Sequence, residues 1–308
     1  MAANESMKIY SRKLTWLLLL LLFAISAGSS VLGKINSTNS QDWRAETAQL
    51  VQQYEQRLKI TELSSTLRAD AENKLKIAKH RLENDIPAPS GNPWSALLAF
   101  SGLIEMVIVF SIIIAADLVA GEYTTGTMKL LLIRPHSRAK ILFSKYIAAS
   151  LFAVVMLALL AACGYAANAL LYGLGSIHTT DLFLNGQGQV VQQNVGMQVL
   201  KMYGLSIVPV MGYVTLAFAV STVLRNSALA LGISLLIMIV GNSMIEATAR
   251  MEWLKYLPFA NSDISLYIFH LPARPEMTLS FSIAVMLVYI LALTLLSWIV
   301  FKKRDVSI

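Results

Sequence analysis

The chain has 308 residues, of which 56% are hydrophobic and only 14% are charged, and its mean hydropathy is +0.60. Soluble globular domains carry about 25% charged residues, so this composition excludes an ordinary soluble domain and favours a membrane protein. The single cysteine excludes an internal disulfide, and the formal net charge of +7 lies largely at the ends of apolar runs, which favours lipid headgroups rather than a nucleic acid as the partner.

Six apolar runs are long enough to cross a bilayer as helices, which takes about 20 residues each. We therefore predict an all-α polytopic membrane protein with six transmembrane helices at residues 14–33, 95–119, 142–172, 199–223, 227–246 and 279–301. Pro209 predicts a kink in the fourth helix. The first run also resembles a cleaved signal peptide, because a basic segment precedes it and small residues end it. Its full length favours an uncleaved anchor.

Short segments rich in Lys and Arg stay on the cytoplasmic side of a membrane. Such residues occur before the first run, between the second and third, between the fourth and fifth, and after the sixth: Lys8, Arg12, Lys13, Lys129, Arg134, Arg138, Lys140, Lys145, Arg225, Lys302, Lys303 and Arg304. This pattern predicts that both termini are inside. Residues 1–33 are then a cytoplasmic N-terminus and first span, 95–301 hold the other five spans, and 302–308 form a cytoplasmic tail.

Two segments are predicted to lie outside the cell. In 34–94, apolar residues recur at four-residue spacing, as at Leu50, Tyr54 and Leu58, which predicts an extracytoplasmic helical insertion. It is either a helical hairpin that turns near residues 62–65 or one long helix, and either a plain connector or a module that contacts cargo or a partner. The loop 247–278 is rich in aromatic residues and proline, which predicts short helices that dip into the outer leaflet as a re-entrant-type loop.

Two carboxylates, Glu105 and Asp117, fall inside the second predicted span, where a charge is costly. They are twelve residues apart, or about 18 Å along one helix, which excludes a catalytic carboxylate pair within one subunit. We expect Asp117 to pair with Arg134 or Lys145. We expect Glu105 to lie deeper and to face other helices or a polar path, and contact with cargo remains open.

The sequence predicts neither an enzyme nor a resident cofactor. The four histidines are scattered, so no metal site is expected. The segment from Gly121 to Thr127 has the glycine spacing of a phosphate-binding loop, but Thr127 stands where that loop needs lysine and no strand precedes it. If the chain moves a cargo uphill, the energy must therefore come from a partner or from an ion gradient.

The segment 120–141 and the start of the next run contain an ordered motif. It consists of Glu122, Gly126, Thr127, an apolar stretch at 128–133 with Met128 and Leu131, then Pro135, Ser137, Arg138 and Lys145. This order resembles the membrane subunit of ABC-2 type transporters, which are bacterial exporters with separately encoded permeases. Pro258 after the fifth run and the ending Lys302, Lys303, Arg304, Asp305 also match that family.

The resemblance implies the permease subunit of an ATP-driven exporter in the bacterial plasma membrane. Its segment 120–141 would be a coupling helix that docks on a separate ABC ATPase, and the coupling residues would be Glu122, Gly126, Thr127, Met128, Leu131, Pro135 and Arg138. We expect Glu122 near a helix start, a close approach or a bend at Gly126, and Met128 with Leu130–132 in an apolar cleft of the ATPase. Arg138, Lys140 and Lys145 would lie at the headgroups.

The implied complex contains two ATPase subunits, which bind ATP and Mg, and a second permease that is either identical or related. This chain itself is expected to bind no cofactor and to contact lipid. Peptide, drug, lipid and ion all remain open as cargo, with antimicrobial peptides or drugs suggested by the resemblance. The alternatives are a secondary transporter, expected to show an internal repeat, and a non-transporting sensor or immunity protein.

Overall fold

A computed structural model of the protein describes residues 1–38, 42–60, 65–89, 91–128, 137–244, 251–269, 271, 274 and 276–303, and this part of the chain is mostly helical. The helices are α1 (Ala2–Tyr10), α2 (Lys13–Thr38), α3 (Trp43–Leu58), α4 (Ser65–Asn84), α5 (Pro93–Ala99), α6 (Ile104–Thr124), α7 (Arg138–Tyr172), α8 (Val195–Leu205), α9 (Ile207–Leu224), α10 (Ser227–Ser243), α11 (Ser265–Ile268) and α12 (Leu279–Lys303). Short 3₁₀ turns occupy Ser101–Leu103, Glu252–Tyr256 and Phe259–Asn261.

Five helices are long and apolar enough to cross a membrane: Lys13–Ile35, Ser101–Thr124, Arg138–Tyr172, Val195–Leu224 and Leu279–Lys303. The remaining predicted span appears as the shorter apolar helix α10. The chain is therefore a mostly helical membrane protein with five candidate membrane-spanning helices. A count of six spans and an inside position for both termini stay predictions.

The prediction of an all-α fold is wrong between α7 and α8. Strands β1 (Thr180–Leu184) and β2 (Val190–Asn194) form an antiparallel hairpin in which Leu182 pairs with Gln192. Its turn uses Gly188 at φ +73°, a conformation that glycine adopts without strain. Because Asp181 forms an ion pair with the mostly buried Arg81 of α4, the hairpin connects the helical insertion to the bundle.

The insertion is itself a helical hairpin. Helices α3 and α4 pack side by side, with an ion pair of 2.8 Å between Glu55 and Lys79. Arg44 near the start of α3 lies 2.5 Å from Asp85 just after α4, so the two helices are antiparallel. This confirms the hairpin alternative, although residues 62–64 of the expected turn at 62–65 lie outside the described residues.

Two predicted spans are interrupted. The second begins as α5, breaks at the 3₁₀ turn Ser101–Leu103 and continues as α6. The fourth breaks between α8 and α9, just before Pro209. Proline has no N–H to donate to the carbonyl four residues earlier, so the helix loses a hydrogen bond at that point. The kink predicted at Pro209 is thereby confirmed as a break.

Helix α6 lies at the centre of the bundle and packs against α7, α9 and α10. Ala115 and Ala120 are fully buried, and such small residues let neighbouring helices approach closely. Ser221 of α9 uses this proximity: its hydroxyl donates to the carbonyl of Ala116 (2.6 Å) and accepts from the N–H of Ala120 (3.0 Å). One side chain of α9 therefore connects both ends of one turn of α6.

The contact between α10 and the turn at Phe259 gives a test of the fold. A Cβ atom added to Gly241 would lie 2.5 Å from the Cβ of Phe259, which is too close for either to stay in place. We expect Gly241→Ala to destabilise the protein by about 1–3 kcal/mol through overpacking. Heating followed by size-exclusion chromatography in detergent measures this as a lower melting temperature.

Gly232→Ala is the matched control, because the same helix leaves open space around Gly232. Alanine is the better helix former, so this variant should be neutral or slightly more stable. An equal loss of stability in both variants would contradict the contact at Phe259.

Candidate functional site

Four charged side chains meet where α1, the end of α6 and the start of α7 come together. The Nζ atom of Lys145 lies 2.8 Å from Glu5 Oε2 and 2.7 Å from Glu122 Oε1. The Nζ atom of Lys8 lies 2.9 Å from Glu5 Oε1 and 3.1 Å from Glu122 Oε1. We call Glu5, Lys8, Glu122 and Lys145 the charged cluster. Its two carboxylates and two ammonium groups sum to zero charge.

Burial makes this pairing obligatory. The side chain of Lys145 is 0% exposed and that of Glu122 is 11% exposed. Glu122 also lies at the unfavourable end of a helix dipole, because it is in the last turn of α6. A buried charge that loses its partner is strongly destabilising. Both lysines contact Glu122 through Oε1. The other oxygen, Oε2, is buried without a hydrogen-bond partner in the described part of the chain, so these two ion pairs are what compensates the carboxylate.

Helix α1 supplies two of the four residues of the cluster, Glu5 and Lys8. It packs along α7 and buries Glu5 and Ile9. Thr15 caps the junction to α2 by donating its hydroxyl to the carbonyl of Ile9 at 2.6 Å. Burial alone would raise the pKa of Glu5, but hydrogen bonds and charges from Lys145 and Lys8 lower it below its usual value. Burial would lower the pKa of Lys8, and Glu5 and Glu122 raise it instead.

A second polar group lies beside the cluster. Arg12 Nη1 is 2.5 Å from Asp117 Oδ2, and the hydroxyl of Ser227 donates to Asp117 Oδ1 at 2.6 Å. The prediction that Asp117 pairs with Lys145 is wrong, because Lys145 is occupied by the two glutamates. The other predicted partner, Arg134, lies outside the described residues.

The end of α9 contacts the last turn of α6 through a cation–π interaction. Arg225 ends that helix at φ +57°, and its guanidinium lies 4.6 Å from the ring centroid of Tyr123 on α6. Such a cation–π contact contributes about 0.5–2 kcal/mol. The predicted basic position between the fourth and fifth spans therefore has a structural partner on α6.

A cavity of about 460 Å³ opens next to the cluster. Its lining includes Lys8, Arg12, Asp117, Glu122, Thr125 and Thr127. The chain leaves α6 through the exposed residues 124–127 and bends at Gly126, whose φ is +72°. The bend predicted at Gly126 is confirmed. Residues 124–127 therefore form an exposed tip that follows directly after the buried end of α6, where Glu122 belongs to the charged cluster.

Three expectations for this segment are wrong. Glu122 lies in the last turn of α6 rather than near a helix start, because the helix continues to Thr124. Met128 is 1% exposed and packs in the core of this protein, so it is not free to fill a cleft on a partner. Lys145 is buried in the charged cluster rather than placed at the headgroups.

The other predicted residues divide into two groups. Arg138 begins α7 after the N-cap Ser137, and Lys140, two residues further on, is exposed. Leu131 and Pro135, with Leu130 and Leu132, lie outside the described residues.

Glu105 belongs to the opposite end of the molecule. It is in the first turn of α6, about 25 Å from Glu122 along the helix, and it is exposed. The prediction of a deep position is therefore wrong, because α6 starts later than the predicted span. Glu105 does line a polar cavity of about 220 Å³ together with Tyr213 and Asp263, which agrees with the predicted polar path.

Sequence reasoning missed Glu5, which closes the charged cluster, and Ser227, which holds Asp117. Lys8 and Arg12 were read only as orientation signals. Glu5 did carry a signal, because it is the one carboxylate in the otherwise basic segment before the first apolar run. A buried lysine such as Lys145 needs a carboxylate, and that need could have linked the two positions.

Comparison with known proteins places the chain in a family. Residues 82–307 match the family described as protein of unknown function (DUF2705). The chain belongs to this family. It is 32% identical to the protein YhcI of Bacillus subtilis (strain 168) over 313 residues, which cover 99% of this chain and 98% of YhcI. It is 29% identical to the membrane protein YdbK of the same organism, over 64% of this chain and 77% of YdbK.

The pairing of Lys145 predicts a large effect of its removal. Lys145→Met keeps the length of the side chain but leaves two mostly buried carboxylates with only Lys8. We expect a loss of about 3–5 kcal/mol, as for other broken buried ion pairs, measured by thermal denaturation in detergent.

Lys140→Met is the control, because Lys140 is exposed on the same helix. It should change stability by less than about 0.5 kcal/mol. Adding Glu122→Gln to Lys145→Met removes one unpaired charge and should restore part of the loss. Full stability of Lys145→Met alone would contradict the cluster.

The lowered pKa of Glu5 predicts a pH dependence. Ionised Glu5 stabilises the fold above its unfolded-state pKa, near 4.5, and this contribution is lost as pH falls through the lower folded-state pKa. The difference in melting temperature between wild type and Glu5→Gln should therefore be constant near neutral pH and shrink below pH 4.5. A difference that does not change with pH would show that the charge of Glu5 does not matter.

Proposed function

We propose that this chain is the permease subunit of an ABC-2 type exporter and that residues 120–141 transmit motion from a separate ATPase. The ordered motif from Glu122 to Lys145 supports this, in a chain with five candidate membrane-spanning helices. The observation that supports the proposal most is how this segment is exposed at one point and held by ion pairs at another. Residues 124–127 are exposed, while Glu122, within one turn of them, is fixed by ion pairs to α1 and α7.

An exposed segment that is joined to two other helices by ion pairs is suited to transmit force. A partner that pushes on residues 124–127 would move the end of α6, and the ion pair between Glu122 and Lys145 would move α7 with it. Helix α6 would pass the displacement to α9 and α10, which pack against it. The contact of Ser221 with the backbone of α6 would resist sliding between α6 and α9.

The energy would come from the partner. Two ATPase subunits would bind ATP and Mg, and two permeases would form the path for the cargo between them. The cavity of about 460 Å³ beside residues 124–127 would receive part of the ATPase surface. This chain would supply the path and the coupling, with no nucleotide site of its own.

The test is co-purification of this chain with an ABC ATPase of the same cell, the partner that the proposal requires. Thr124→Trp and Thr127→Trp each place a bulky side chain on the exposed tip, and neither residue supplies a charge to the cluster. We expect each to reduce co-purification of the ATPase at least about tenfold, since a central interface clash costs more than about 1.4 kcal/mol.

Gln187→Trp is the control, because Gln187 is equally exposed in the β-hairpin turn at the other end of the molecule. Membrane insertion and elution profile should be unchanged in all three variants. Normal co-purification of both threonine variants would refute docking at this tip. A chain that transports cargo or senses a peptide with no ATPase would instead support the secondary transporter or the sensor.

A further inference from the structure

The end of the bundle that carries Glu105 contains two adjacent cavities. The larger, of about 700 Å³, lies between α4, β1 and the segment around α11. The smaller, of about 220 Å³, lies between α6, α8, α9 and the residues before α11. Ser101, Asp263 and Ser265 line both cavities, so the two spaces share one wall. The volume of the larger cavity is in the range of sites for small organic ligands, and the smaller cavity adds room beside it for a single polar group.

The larger cavity has a mainly apolar wall. Leu182, Phe183 and Leu184 of β1 face it, and Ile77 of α4 and Phe269 close the other sides. Phe183 and Phe269 provide two aromatic rings, which bind apolar or aromatic groups with large contact area. Asp70 and Lys74 also line this cavity, but their ion pair of 2.8 Å compensates both charges.

The shared wall and the smaller cavity are acidic. Asp263 and Glu105 line the smaller cavity and repel each other electrostatically. In the described residues neither carboxylate has an ion-pair partner, while Asp70 at the same end has one. Asp263 Oδ1 accepts hydrogen bonds from the backbone N–H (2.9 Å) and the hydroxyl (2.5 Å) of Ser265, which fix its orientation.

A polar network holds the wall that carries Asp263. The side chain of Asn261 is fully buried and donates to the carbonyls of Lys255 (2.7 Å) and Leu257 (2.8 Å). Its Oδ1 accepts from the hydroxyl of Ser282 on α12 at 2.6 Å. The hydroxyl of Tyr213 on α9 donates to Ser262 at 3.3 Å. The segment before α11 is therefore anchored to two helices of the bundle, so the site is preformed.

We propose that these adjacent cavities bind a small amphipathic cation. Its apolar or aromatic body occupies the larger cavity against Phe183 and Phe269, and its cationic group lies at Asp263 and Glu105. The assignment rests on charge complementarity. The two cavities together present three carboxylates (Asp70, Asp263, Glu105) and one ammonium group (Lys74). A monovalent cation reduces that excess of negative charge. An anion of the same shape meets uncompensated repulsion.

The assignment is tested with a pair of ions of matched shape. Purified full-length protein in nanodiscs of zwitterionic lipid is titrated with tetraphenylphosphonium and with tetraphenylborate, and binding to empty nanodiscs is subtracted. We expect saturable binding of the phosphonium at one site per chain and no saturable binding of the borate. Equal binding of the two ions, or no binding of the phosphonium, would overturn the proposal.

Three variants locate the site. Asp263→Asn and Glu105→Gln each remove one charge and should weaken phosphonium binding about tenfold, as expected for a charge-assisted contact. Asp85→Asn is the control, because Asp85 pairs with Arg44 away from both cavities and should leave binding unchanged. Unchanged binding in both cavity variants would overturn the proposal, as would an equal loss in the control.

A fourth variant does not depend on charge. Ala99 lines the larger cavity and is exposed at its edge, so Ala99→Trp should fill that space and abolish binding while the protein stays folded. Retained binding in this variant would place the phosphonium elsewhere. The assay contains no ATPase, so it is independent of docking at the opposite end: failure of ATPase docking would leave this site intact, and failure here would leave the docking proposal intact.

Discussion

The ammonium group of Lys145 is buried completely, and its two carboxylate partners come from different parts of the chain. Water gives no compensation at this position, so Glu5 and Glu122 must both approach within hydrogen-bond distance. That requirement fixes how far α1 lies along α7 and where α6 ends relative to α7. The polar surface around residues 117–127 then follows, because Asp117, Tyr123 and the bend at Gly126 all depend on the position of the end of α6.

Similar polar contacts select the partners of the other apolar helices. Lipid tails are as apolar as leucine, so hydrophobicity alone does not determine which helices associate in a membrane. In this protein Tyr146 of α7 bonds to Thr215 of α9 at 2.8 Å, and Ser221 of α9 bonds to the backbone of α6. Ser227 joins α10 to Asp117. Each contact satisfies a group that would be costly if left alone in an apolar surrounding.

Local signals in the sequence predicted much of the helical fold. Apolar runs gave five long helices and one shorter helix, and Pro209 predicted the break before α9 because a missing N–H acts within one turn. The β-hairpin was missed because its strands have only five residues each and β2 contains two glutamines and an asparagine, which read as a loop. The end of α6 was placed too early because Glu122 resembles a loop residue until its buried partners are known.

The candidate site was less accessible to sequence reasoning. The motif identified the segment 120–141, but the interactions that hold it come from residues far away in the chain. Glu5 and Lys145 are 140 positions apart, and periodicity reports only on neighbours within a few turns. For the same reason Met128 was assigned to a partner's surface, since an apolar residue after a helix does not reveal which apolar surface covers it.

The separation of 140 positions between Glu5 and Lys145 also has a consequence for synthesis of the chain. Proteins are made from the N-terminus, so Glu5, Lys8 and Glu122 exist before α7 is complete. During that interval two carboxylates have one ammonium group between them, and α1 has no α7 to pack against. Entry of Lys145 into the bundle supplies the missing charge. The last of the four residues to be made is therefore the one that completes the hold on the first helix, which until then has only the ion pair between Lys8 and Glu122 within the cluster's contacts to other helices.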